Sequence, residues 1–145
     1  MGAAAQKPSW FYWVIAVLAV LWGLFGGFDF WMTVTGNETY LKDFPPEMIA
    51  WIQGFPMWRA LLWAISVASG VAGGVLLLMR SAVAVVAFYV NVGTMLIGFL
   101  VHDLLMANGV EMYGSAGLIG SAVICVVSIG FALYAHNAAR RGVLR

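Results

Sequence analysis

The sequence predicts an all-α integral membrane protein, a four-helix bundle with a short helix on its periplasmic surface. Three observations predict it. Of 145 residues, 63% are hydrophobic and 9% charged, the mean hydropathy is +0.95, and the apolar residues gather into long runs. Ordinary soluble domains carry roughly a quarter charged residues. A chain this poor in charge cannot cover its surface in water, so lipid must be the solvent for much of it. The length suits one membrane domain over residues 1–145.

With the few charged residues as punctuation, spans are expected at about 10–34, 56–79, 81–107 and 112–135, each meeting the roughly 20 residues a spanning helix needs. Lys7 ahead of the first run also fits a signal peptide. The run is too long for that, and Asp29 stands in place of a small-residue cleavage pattern, so the helix is expected to be retained. The outer loop, 35–55, opens with the turn pair Gly36-Asn37. Pro45-Pro46-Glu47 followed by Met48, Ile49, Trp51 and Ile52 then predicts a short helix over 46–53, with proline in its first turn, an early acid and Gly54 after its end. That helix should lie on the outer surface or fold over the bundle, with Trp51 toward lipid or protein, and Pro56 should break it from the second span. Asn37-Glu38-Thr39 matches a glycosylation acceptor, which matters only in a eukaryotic host. Joined as one helix, the second and third runs would be about 75 Å long. A tight hairpin near Arg80 is therefore required.

Orientation follows from the seven Lys and Arg residues. With both termini cytoplasmic, Lys7, Arg80, Arg140, Arg141 and Arg145 lie inside, against Lys42 and Arg59 outside, as the positive-inside rule favours. Trp10, Phe11, Tyr12 and Trp13 cluster at the inner boundary, and Trp31 and Trp58 mark the outer one. Small residues recur at helical spacing in the second span (Ser66, Gly70, Gly74, beside Ser69 and Gly73) and in the fourth (Gly117, Ser121, Cys125). These stripes predict close packing among the four helices, ahead of a homodimer seam.

Charged residues recur at one membrane level. Asp29 near the outer end of the first span, Arg59 near the outer start of the second, and His102-Asp103 near the outer end of the third form a candidate polar cluster. Charges inside spans are costly unless paired or wet, so Arg59 is expected to bridge to Asp29, Asp103 or both. The cluster then reads as a structural clasp, a polar vestibule for a solute, or a gate sensitive to protonation of His102. Asn91, nearer mid-span, is placed to hydrogen-bond across helices or line a path. The first and third spans echo each other weakly, Asp29 with Met32 against Asp103 with Met106.

Other chemistries are disfavoured. His102 and His136 belong to opposite membrane faces, roughly 30 Å apart, and cannot share a haem iron. Cys125 is the single cysteine, which leaves no intrachain disulfide and no Cys-based metal site. No catalytic triad, phosphate loop or zinc spacing occurs, so neither enzyme activity nor a cofactor is expected. A net charge of +1, with only Arg140 and Arg141 adjacent, argues against nucleic acid.

Phe55-Pro56-Met57-Trp58, Gly70-Val71-Ala72-Gly73-Gly74, Leu76-Leu77-Leu78-Met79-Arg80 and Ala82-Val83-Ala84-Val85, with Pro8, Trp10 to Trp13 and Leu21-Trp22, carry a resemblance. Over roughly the first hundred residues the chain resembles small proteobacterial membrane proteins that bear the label "sugar transporter". The resemblance implies a bacterial inner membrane and, by its label, transport; it assigns no residue, and Asp29 with the acidic, aromatic outer loop departs from it. Two classes of function follow. The scarcity of mid-span polar groups favours an accessory or assembly subunit of a larger membrane complex, and the alternative is a small-solute carrier, sugar included, acting as a homo-oligomer. Expected partners are the bilayer and other membrane subunits or a second copy.

Overall fold

A computed structural model describes residues 6–145; residues 1–5 of the expected domain lie outside the described residues. Among the described residues all regular structure is helical. Helix α1 spans Trp10–Val34, α2 Glu38–Leu41, α3 Pro46–Gln53, α4 Met57–Leu78, α5 Val83–Leu96 and α6 Gly109–Arg140, and α5 runs on directly into a π-helix over Ile97–Met106. Four of them (α1, α4, α5 with its π extension, and α6) are long and apolar enough to cross a bilayer.

Local chemistry sets the boundaries. Ser9 caps α1, its Oγ accepting from the Tyr12 amide at 3.3 Å. Pro46 opens α3 and Gly54 closes it. At the hairpin after α4, Arg80 takes φ 58, and the amides of Arg80 and Ser81 donate back to Leu77 and Leu76 at 2.9 Å each. A non-glycine residue in that region costs about 1–2 kcal/mol. Arg80 offsets it by tying three segments together: its Nε donates to the Val143 carbonyl at 3.0 Å, its Nη2 to Gln6 at 3.1 Å, and its own carbonyl accepts from the Arg145 amide at 2.7 Å.

Small residues set the packing, as expected where lipid removes the usual hydrophobic drive. A Cβ on Gly74 would lie 2.8 Å from the Val20 nitrogen and one on Gly23 2.9 Å from the Val71 Cα, so α1 and α4 meet backbone to backbone. Gly73 receives the Phe88 ring of α5, which stacks on Phe131 of α6 with centroids 6.1 Å apart. Near the Arg80 hairpin the bundle closes: Tyr12, Ala16, Leu77, Ala84, Ala132 and Ala135 are buried together, and the Tyr12 hydroxyl donates to the Leu77 carbonyl. At the other end, which carries α2 and α3, a cavity separates α1 from α6.

Four features differ from the sequence expectations. The loop over 35–55 contains an additional helix, α2, nucleated by Asn37, whose side chain accepts from the Tyr40 amide at 2.9 Å. The C-terminal part of the third span is a π-helix. Helix α6 reaches beyond 112–135 at both ends, and Gly114, at φ 62 and ψ −177, breaks it after its first turn. Only the α4 stripe packs helix against helix; Gly117, Ser121 and Cys125 line the cavity, and a Cβ on neighbouring Gly120 would meet nothing within 4 Å.

Candidate functional site

Arg59 sits in the first turn of α4 and Asp103 in the last turn of the π-helix. Each charge is at the unfavourable end of a helix macrodipole, a penalty of about 0.3–1 kcal/mol apiece. They compensate each other directly. The guanidinium meets the carboxylate side by side, Nε to Oδ1 at 2.8 Å and Nη2 to Oδ2 at 2.6 Å, with Arg59 8% and Asp103 0% exposed. Glycines make room for this geometry. A Cβ on Gly98 would come 3.0 Å from the Arg59 Cζ, and one on Gly109 2.5 Å from the Asp103 carbonyl oxygen.

Two more groups complete Asp103. The His102 Nδ1 lies 2.7 Å from Oδ1, and the Tyr113 hydroxyl donates to Oδ2 at 2.9 Å. A carboxylate offers about four acceptor positions, so Asp103 has none to spare. Aromatic rings seal the pair. The Arg59 Cζ stands 4.9 Å from the Phe55 centroid, and His102 is set edge-on to Phe55 at 4.9 Å and Trp58 at 5.1 Å. Helix α3 is latched over them through Trp51, whose Nε1 donates to the Ala107 carbonyl at 2.9 Å and whose ring meets Tyr113 at 5.1 Å.

Asp29 stands apart from this lock. Its Oδ1 accepts from the Tyr40 hydroxyl of α2 at 2.6 Å. Among the described residues its Oδ2 has no hydrogen-bond partner, and since no buried side-chain oxygen is left unpaired, that atom is accessible. Burial pushes the Tyr40 hydroxyl up to about 12, with the bond to Asp29 adding to the effect. The structure thus brings Arg59, His102 and Asp103 of the candidate cluster together and gives Asp29 a different partner.

Asp29, Arg59 and Asp103 all reach one cavity of about 290 Å³. Phe44, Phe55, Trp63, Met95 and Phe99 form much of its wall, α3 covers it with Met48 and Ile49, and Ser121 and Cys125 of α6 face it. A second space of about 140 Å³ continues deeper, sharing Asp29, Trp63, Ser66, Met95 and Ile124. There Asn91 joins α5 to α4, its Nδ2 donating to the Ser66 carbonyl at 2.7 Å.

His136 is remote from the site, beside the Tyr89 hydroxyl at 3.0 Å. Among the described residues no three His, Cys, Asp or Glu side chains converge to hold a metal. Tyr40, Tyr113 and Trp51 hold the site although sequence reasoning did not single them out for it. The available signal was spacing, since each acid near the end of a span is followed by a tyrosine in the next structured segment.

The fold and site define a class, the multi-pass helical membrane protein with a roofed cavity at one end of its bundle. No known protein family, curated protein or solved structure matches this chain.

Proposed function

We propose that this chain is a non-catalytic, multi-pass protein of a bacterial inner membrane, with both termini cytoplasmic, that holds and carries a small solute in the cavity beneath α3. The observation that carries this reading is the cavity itself, walled by apolar and aromatic side chains yet lined also by Asp29, one of whose carboxylate oxygens has no hydrogen-bond partner among the described residues. Concave, mostly apolar spaces with a few placed polar groups are the usual form of small-molecule sites. The saturation of Asp103 supports a structural lock for that residue, with Asp29 as the group available to a solute. The positive-inside rule supports a periplasmic position for α2 and α3, and in that orientation the cavity faces the periplasm.

Cys125 provides the test, because it lines the cavity and is the only cysteine. A thiol reacts as its thiolate and is inert when sealed in apolar surroundings. A water-filled cavity predicts that a small maleimide modifies Cys125 in intact membranes; a Cys125 that reacts only after denaturation would contradict the reading. An accessory or assembly subunit is the second reading, favoured by the exposed apolar side chains of Ile119, Val123 and Val126 on α6. It predicts copurification with a larger complex, whereas the carrier reading predicts a homo-oligomer. Native mass spectrometry of gently solubilised membranes separates them.

A further inference from the structure

The cavity wall carries two carboxylates and one guanidinium, and no other Asp, Glu, Lys or Arg. Arg59 is matched within hydrogen-bond distance by Asp103. The net charge facing the cavity is therefore that of Asp29, whose Oδ2 has no partner among the described residues. Aromatic surface lies close to that carboxylate. Tyr40, which holds Asp29 by its hydroxyl, packs against Phe44 at 6.0 Å and Phe28 at 5.5 Å, and Phe44 lines the cavity with Trp63 and Phe99.

We propose that this cavity is a binding site for a monovalent organic cation with an apolar body, an alkylated or benzylic ammonium, whose charge rests on the free oxygen of Asp29. This rests on the solute-holding reading and adds its substrate class. An anion would meet an uncompensated carboxylate with no free cation beside it. A neutral molecule would fill the apolar wall but leave Asp29 unanswered. Small inorganic cations lose a tight hydration shell on entering an apolar space, whereas an alkylated ammonium is weakly hydrated and gains from the aromatic faces as well as the carboxylate.

The test compares benzyltrimethylammonium with neopentylbenzene, the neutral molecule of the same shape, by titration calorimetry on the full chain in one detergent. The cation should bind about tenfold tighter or better, equivalent to about 1.4 kcal/mol, and excess sodium should not displace it. Asp29→Asn should remove the difference, and Asp29→Glu should retain it. Equal binding of the two probes would overturn the cation assignment while leaving the solute cavity standing. Binding of neither would also overturn it, and the Cys125 labelling result would then decide separately whether the cavity is open. Displacement of the cation by phosphatidylethanolamine would assign the carboxylate to lipid head groups and overturn the solute claim. Should Asp29→Asn fail to fold, the comparison of the two probes on the unmodified chain still decides.

Discussion

Two aspartates near the same end of the bundle differ in what their neighbours leave them to do. Asp103 accepts from Arg59 through both oxygens, contacts His102 and accepts from Tyr113, so its charge is spent on holding the third span, α4 and α6 together. Arg59→Ala would strand that carboxylate with 0% exposure, and removing one partner of a buried pair costs about 3–5 kcal/mol. Arg59→Ala combined with Asp103→Ala should lose less than the two single losses added together. Thermal unfolding in detergent measures the cycle, and strict additivity would mean that the two charges act independently. Tyr40 yields a pH dependence. Its hydroxyl is raised from 10.0 to about 12 by burial and by its bond to Asp29. A raised folded value means that the contribution is complete below about pH 10 and lost as pH rises through about 12. Ultraviolet titration of the parent minus that of Tyr40→Phe should leave a single tyrosinate step near that upper value; a difference step at the ordinary value would contradict the bond.

At the scale of elements, α4 and α6 carry similar small-residue rows with opposite uses. Gly74→Ala would push a methyl group to 2.8 Å from the Val20 backbone, and overpacking of this kind costs about 1–3 kcal/mol. Gly120→Ala meets open space and relieves a glycine within a helix, so its melting temperature should equal or exceed that of the parent. A matched loss in both variants would show that α6 is packed in a way the cavity does not allow. Much at this scale was legible in the sequence. The run over 10–34 and the helix over 46–53 coincide with α1 and α3, because proline, glycine and charge are strong local signals. The α2 cap, the π-helix and the Gly114 break were not legible, since each depends on hydrogen bonds or backbone angles that apolar composition does not encode. The candidate cluster was legible in depth and not in direction. Counting residues from span ends places Asp29, Arg59 and Asp103 at one level. A helix apolar on every side gives little indication of which neighbour a residue faces, so the pairing of Asp29 with Tyr40 had to come from the packed structure.

At the scale of the molecule, the two ends of the bundle are built differently. One is knotted by Arg80 to Gln6, Val143 and Arg145; the other holds the lock and the cavity beneath α3. With the orientation proposed from the positive-inside rule, the knotted end and its basic residues lie in the cytoplasm. An alkaline phosphatase fused after Arg145 should therefore be inactive and one inserted at Lys42 active, and the reverse pattern would invert the molecule.

Holding a solute requires that the cavity between α1 and α6 be open to water and to solute. Ser121 lines it with Cys125, whereas Ile119, 67% exposed, does not. The most direct measurement is the rate of maleimide modification of Cys125 in membranes carrying Ser121→Phe or Ile119→Phe. A ring at position 121 should fill the space and slow labelling about tenfold or more, a change of about 1.4 kcal/mol in activation free energy, while a ring at position 119 leaves the rate unchanged. Equal rates in both variants and the parent would contradict the cavity as the route to Cys125, and with it the solute-holding function.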